Sequence, residues 1–180
     1  TRDDFPARGV TQGVSRTAIH TAWIGASSST AGPVFTGGST ATFEVFYANS
    51  SDGGATFSTP VSVSGGRSYY TTDGSGTAFS TLDLEVASNG DPRVVYAFTT
   101  TADHSHDDNI YFGYSNNGGT TWETPLKIND VTTAGNTEGR STAFPRMVID
   151  DRDRIFVSYV RGTSRGGGTD DVMLAKINHH

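Results

Sequence analysis

The amino-acid sequence predicts an all-β chain built from repeated four-stranded antiparallel units. Three observations carry that prediction. Only 34% of the 180 residues are hydrophobic while 22 are Gly, a composition suited to many tight turns between short strands rather than to long helices. Segment 50–63 aligns without gaps to segment 115–128, 65 residues later. At the same offset Val45-Phe46-Tyr47 meets Ile110-Tyr111-Phe112, and Thr77-Ala78-Phe79 meets Thr142-Ala143-Phe144. Three separate blocks in one register are the mark of a repeat architecture.

Period-two alternation and β-branched or aromatic content place the strands, and turn residues bound them. In the first unit, about 5–65, strands are expected over 5–11, 17–25, 41–50 and 60–64. The second unit, about 78–130, gives 81–87, 92–100, 108–115 and 125–129. A third, about 143–178, gives 144–150, 154–161 and 171–177, and lacks a fourth strand. Phe5-Pro6 and Phe144-Pro145 fall at the entrance to the first strand of their units. Asn89-Gly90-Asp91 and the run Asp150-Asp151-Arg152-Asp153-Arg154 read as tight turns between first and second strands, with locally paired charges.

Composition narrows the function classes. The net charge of -6 and pI near 5.2 oppose nucleic-acid binding, which rests on clustered Lys and Arg facing phosphates. No Cys is present, so disulfides, thiolate metal sites and a Cys nucleophile are excluded. No apolar run reaches membrane-spanning length. The chain opens on Thr1 rather than Met, as a processed or trimmed chain would, and the terminal His179 and His180 have the look of a tag remnant.

The aligned segments contain Ser50-Ser51-Asp52-Gly53-Gly54-Ala55-Thr56-Phe57 and Ser115-Asn116-Asn117-Gly118-Gly119-Thr120-Thr121-Trp122. Both resemble the Asp box, Ser-x-Asp-x-Gly-x-Thr-Trp, of the sialidase-like superfamily of Asp-box (BNR) repeat β-propellers, with Asn117 standing where the family has Asp. The side-chain oxygen of Asp52 or Asn117 can accept from N–H groups of its own turn, and Gly supplies positive φ. The resemblance implies a propeller of four-stranded antiparallel blades, of which this chain holds about three, part or half of a six-bladed ring. It also implies that the boxes join third to fourth strands away from the active centre. Their residues Ser50, Asp52, Gly54, Thr56, Phe57, Ser115, Asn117, Gly119, Thr121 and Trp122 are therefore structural, with Phe57 and Trp122 expected to fold under their hairpins against their own blades. The Asn49-Ser50-Ser51 sequon lies in that turn, where a glycan would crowd it.

No catalytic residue emerges. The family's early Arg-Ile-Pro motif is absent, since Phe5-Pro6-Ala7-Arg8 and Phe144-Pro145-Arg146-Met147 put Pro before Arg. Glu is confined to Glu44, Glu85, Glu123 and Glu138, and Glu44 and Glu85 alternate with apolar residues as solvent-facing strand positions do. The resemblance puts ligands on the face formed by second-to-third and blade-to-blade connections. Those segments carry Arg67, Tyr69, Tyr70, Asp73, Asn136, Glu138, Arg140, Arg161, Arg165, Asp170 and Asp171. Arg67, Tyr69, Tyr70, Arg140, Arg161 and Arg165 are the candidates for clamping carboxylates or stacking on sugar rings. Asp103, His104, His106, Asp107 and Asp108 form the densest ligand-capable run, suited to Ca or another divalent ion. No other cofactor is called for.

Three blades do not close a ring that takes 4 to 8. Open blade edges then call for self-association or for the remainder of a longer parent chain. The function expected is a noncatalytic extracellular module, secreted or on the cell surface, for glycan binding, adhesion or surface structure. A sialidase-like glycoside hydrolase fragment is the alternative, and a self-assembling structural subunit the second alternative. The expected partner is a glycan or another protein chain.

Overall fold

The computed structural model describes residues 8–14, 18–29, 41–65, 69–70, 82–99, 108–129, 143–162 and 170–178. Among them all regular structure is β, in three antiparallel sheets without a helix. The first sheet orders β1 (Arg8–Val14), β2 (Ile19–Ser29), β3 (Ala41–Ser50) and β4 (Val61–Ser62) side by side, and β5 (Tyr69–Tyr70) also pairs with β3. The second orders β6 (Leu82–Val86), β7 (Pro92–Thr99), β8 (Asp108–Tyr114) and β9 (Leu126–Lys127). The third orders β10 (Ala143–Ile149), β11 (Ile155–Gly162) and β12 (Asp170–Ile177).

Apart from β5, which skips β4 to pair with β3, each sheet is a meander in which sequence neighbours pair, the cheapest antiparallel topology for short connections. The 65-residue period survives in its hydrogen bonds. The N–H of Val63 bonds the carbonyl of Val45 at 2.8 Å, and that of Ile128 bonds Ile110 at 2.9 Å. The N–H groups of Val45 and Ile110 are in turn accepted by side chains 19 residues on, Ser64 Oγ at 3.3 Å and Asn129 Oδ1 at 2.8 Å.

Alternation decides which face packs. In β2 His20, Ala22 and Ile24 are buried while Thr21, Trp23 and Gly25 are half-buried. On β7 the whole run Pro92 to Ala97 is buried, because the second sheet lies between the other two. Val94 and Tyr96 face the first sheet, joining Ala22, Ile24, Val45, Tyr47, Val63 and Leu84 in one core. Val95 and Ala97 face the third, with Ile110, Phe112, Met147, Ile155 and Val157 in another. At about 25 cal/mol per Å² of apolar surface removed from water, these two seams are the main source of stability. Polar groups fix the seams in register. Asp83 Oδ2 accepts from the N–H of Met147 at 2.9 Å, and Asp153 accepts from the N–H and hydroxyl of Ser88 at 2.8 and 2.5 Å.

Several sequence expectations change. The first strand is described over Arg8–Val14, and its end lies three residues beyond the expected 11, because pairing continues to Val14 with Ile19. Phe144-Pro145 lies inside β10 with Pro145 buried, and Phe5-Pro6 lies outside the described residues. Strand β5 was not expected at all. Glu44 and Glu85 are half-buried, Glu44 on the strand face opposite the core residues Val45 and Tyr47 and Glu85 on the face where Asp83 meets the third sheet. Burial, and then the charge of Asp83, pushes the Glu85 carboxyl above the ordinary Glu range.

In the first core, Nδ1 of His20 and the Tyr47 hydroxyl share a hydrogen bond of 2.6 Å, and both residues are almost wholly enclosed. Burial lowers the His20 pKa below its ordinary 6.5. The unfolded chain therefore binds a proton first as pH falls, so stability is full above 6.5 and declines from there down to the lower folded value. Denaturant midpoints are expected to be flat from pH 8 to about 6.5 and to fall as the pH drops further. Much of that fall should disappear in His20→Gln.

Candidate functional site

The two ends of the sheets differ in construction. At one end β3 runs into β4, and β8 into β9, through the two boxes. In the first, Ser50 Oγ donates to Asp52 Oδ1 at 2.7 Å and accepts from the N–H groups of Gly54 at 2.8 Å and Asp52 at 3.4 Å. Asp52 accepts from the Thr56 N–H at 2.9 Å and the Thr56 hydroxyl at 2.5 Å. These bonds, the Thr56 hydroxyl foremost, hold the Asp52 carboxyl well below the usual Asp range.

The second box repeats the turn with an amide. Ser115 Oγ donates to Asn117 Oδ1 at 2.9 Å and accepts from Gly119 at 2.9 Å and Asn117 at 3.3 Å. Asn117 Oδ1 accepts from the Thr121 N–H at 2.9 Å, but its Nδ2 now donates to the Thr121 hydroxyl at 2.8 Å. The Thr hydroxyl rotates from donor to acceptor, which is why an amide replaces a carboxylate without loss of closure. Gly53, Gly54, Gly118 and Gly119 hold φ of 74, 93, 68 and 90°, the left-handed region that a side chain disfavours.

Phe57 departs from expectation, whereas Trp122 lies over Gly113 of its own sheet as expected and also reaches beyond it. Trp122 packs across the seam, edge-on to Tyr47 of the first sheet with centroids 5.1 Å apart. Phe57 is 48% exposed. The difference follows from position, since the second box has the first sheet beside it and the first box has no sheet on its corresponding side among the described residues. Sequence reasoning also missed what braces the second box. Asp91 Oδ1 accepts from the Gly118 N–H at 2.8 Å, and buried Arg93 donates through Nη1 to the carbonyls of Pro92 and Ser115. Residues 65 positions earlier are Ala26 and Ser28, so the period gave no hint of either. The Asn49 side chain donates to the Gly118 carbonyl at 3.4 Å, spending the amide of the sequon on the neighbouring box.

At the opposite end the structure gathers part of the expected ligand face. Strand β5 lays Tyr69 and Tyr70 against Phe43 and Thr42 at the start of β3. Arg161 and Asp171 sit opposite each other across β11 and β12, Nη2 to Oδ2 at 3.1 Å. Asp108 opens β8 and Asp170 opens β12 at this same end. Arg67, Asp73, Asn136, Glu138, Arg140 and Arg165 lie outside the described residues, as do Asp103, His104, His106 and Asp107. Among the described residues no three His, Asp or Glu gather as metal ligands would. Chemically this end offers a guanidinium already paired to a carboxylate, a pair able to exchange one charge-assisted bond for another to a ligand.

No family model and no curated protein matches the chain. Solved structures do. A family 117 glycoside hydrolase produced by the marine bacterium Zobellia galactanivorans is similar over 94% of this chain and 52% of its own, at 12% identity and a TM-score of 0.53. A thermostable family-43 glycoside hydrolase is similar over 97% of this chain and 54% of its own, at 13% identity and a TM-score of 0.46. This chain thus spans about half the length of the solved structures it matches. Its three antiparallel sheets are similar in fold to part of a propeller glycoside hydrolase.

Proposed function

We propose that the chain is part of an Asp-box β-propeller of the sialidase-like kind that binds glycans, without turning them over, at the end of its sheets away from the boxes. The contrast between the two ends carries this reading. The side chains of the two box turns bond within the turns themselves, whereas Arg161, Asp171 and the β5 tyrosines stand where strands end and loops begin, the usual place for recognition on a rigid scaffold. The setting proposed is outside the cell, secreted or at its surface. Open sheet faces, with Val148, Val172 and Leu174 exposed on the third sheet, suit further blades of the same parent or a second chain.

A glycan panel, run alongside a panel of fluorogenic glycosides including a sialoside, tests the reading. Saturable binding without turnover is expected, weakened about tenfold by Arg161→Ala, the loss of one charge-assisted bond. Turnover by the purified chain would replace it with the second reading, a fragment of a glycoside hydrolase. That reading is favoured by the likeness to a family 117 glycoside hydrolase over 94% of the chain. Catalytic groups would then lie among residues outside those described.

A further inference from the structure

The second and third sheets part at the box end around a cleft of about 460 Å³. Four cationic side chains line it, Arg93 from the second sheet and Arg152, Arg154 and Lys176 from the third, against one carboxylate, Asp153. Asn89, Asn116 and Asn178 add amides. Arg93 shares the β7 face of Val95 and Ala97, so it points toward the third sheet, and it is 7% exposed.

The acids nearby are already engaged. Both Asp153 oxygens accept from Ser88, both Asp91 oxygens accept from Gly118 and Asn89, and Asp150 pairs with Arg154 at 2.5 Å. Among the described residues no carboxylate hydrogen-bonds the side chain of Arg93, Arg152 or Lys176; Arg152 meets Asp150 Oδ1 through its backbone N–H alone, at 3.0 Å, and Asp91 and Asp153 act on Arg93 through their charge. Nε of Arg93 is buried with no hydrogen-bond partner, while Nη1 is held by two carbonyls. A buried guanidinium N–H left unsatisfied costs on the order of 1–3 kcal/mol, so it calls for an acceptor from outside the chain, a water, an ion or a ligand. Its Nε–Nη2 edge has the two parallel donors that match a planar or tetrahedral oxyanion.

We infer that this cleft binds an acidic sugar, its carboxylate or sulfate held by Arg93, Arg152 and Lys176 and its ring by the asparagine amides. The volume sets the ligand size. Pockets for small organic ligands start at roughly 300 Å³, several times what a bare oxyanion fills. The site lies at the opposite end from Arg161 and does not depend on the glycan-binding reading given there.

The test uses the whole chain at low ionic strength, titrated with glucuronic acid, glucose and inorganic sulfate. Binding is followed by calorimetry and by the NMR signal of Arg93 Nε–H. Glucuronic acid is expected to bind saturably, to shift that signal and to be displaced by salt, with glucose inert and sulfate weaker. Reversing both exposed charges in Arg152→Glu with Lys176→Glu should weaken glucuronic acid by at least about tenfold, while Lys127→Glu, at an exposed lysine outside the cleft, leaves it unchanged. If the double variant unfolds, Arg152→Gln with Lys176→Gln gives the same comparison with a smaller loss. Absence of saturation, an unmoved Arg93 signal or indifference to both double variants would overturn the site. Sulfate binding as tightly as the sugar acid would overturn the sugar.

Discussion

Gly119→Ala is expected to destabilise the fold by about 2–5 kcal/mol, measured as a drop in the denaturation midpoint at constant slope. Two costs add. At φ 90° a side chain pays roughly 1–2 kcal/mol for leaving its allowed region. The new methyl would also land on the Tyr47 ring, 2.5 Å from Cζ and from the hydroxyl oxygen, an overpacking worth about 1–3 kcal/mol. Gly53→Ala separates the two. Its φ is 74° yet nothing lies within 4 Å of the added carbon, so only the conformational cost of roughly 1–2 kcal/mol remains. Equal effects at the two positions would mean that the second box does not press on the first sheet.

Tyr47→Ala is the second large effect, about 3–5 kcal/mol for removing a fully buried aromatic from a packed core. Tyr47 is 1% exposed, stacks edge-on against Trp122, bonds His20 and donates to the Gly118 carbonyl at 3.4 Å. Its loss opens the space that an alanine at 119 needs. The double variant should therefore be less destabilised than the sum of the singles, with a coupling of about 0.5–3 kcal/mol. Strict additivity would show that these residues, from neighbouring sheets, do not touch.

The boxes were legible because they are local. Ser, Asp or Asn, Gly and Thr at fixed spacings close a turn with their own side chains and need no help from the rest of the chain. The same held for strands such as β3, β7, β8, β11 and β12, where alternation or an apolar run stands between clear turns. For β1 it missed the end of the strand, which pairing with β2 carries on to Val14. The candidate ligand face was legible only as a set of loop residues, and of these the described structure brings Tyr69, Tyr70 and Arg161 to one end. Asp91 and Arg93 gave no sign of what they do, because their partners lie 22 to 27 residues away and neither recurs with the period.

By itself the sequence determined the all-β class, the 65-residue repeat, the positions of most strands and the closure of both boxes. All of these depend on neighbours along the chain and on a pattern of period two. Only the tertiary structure decided that Trp122 serves the seam while Phe57 stays exposed, and that β7 is buried on both faces. It also decided that Arg93 faces a cleft with an N–H unspent. Which face of a sheet is covered depends on the sheet beside it, and no local pattern encodes that neighbour.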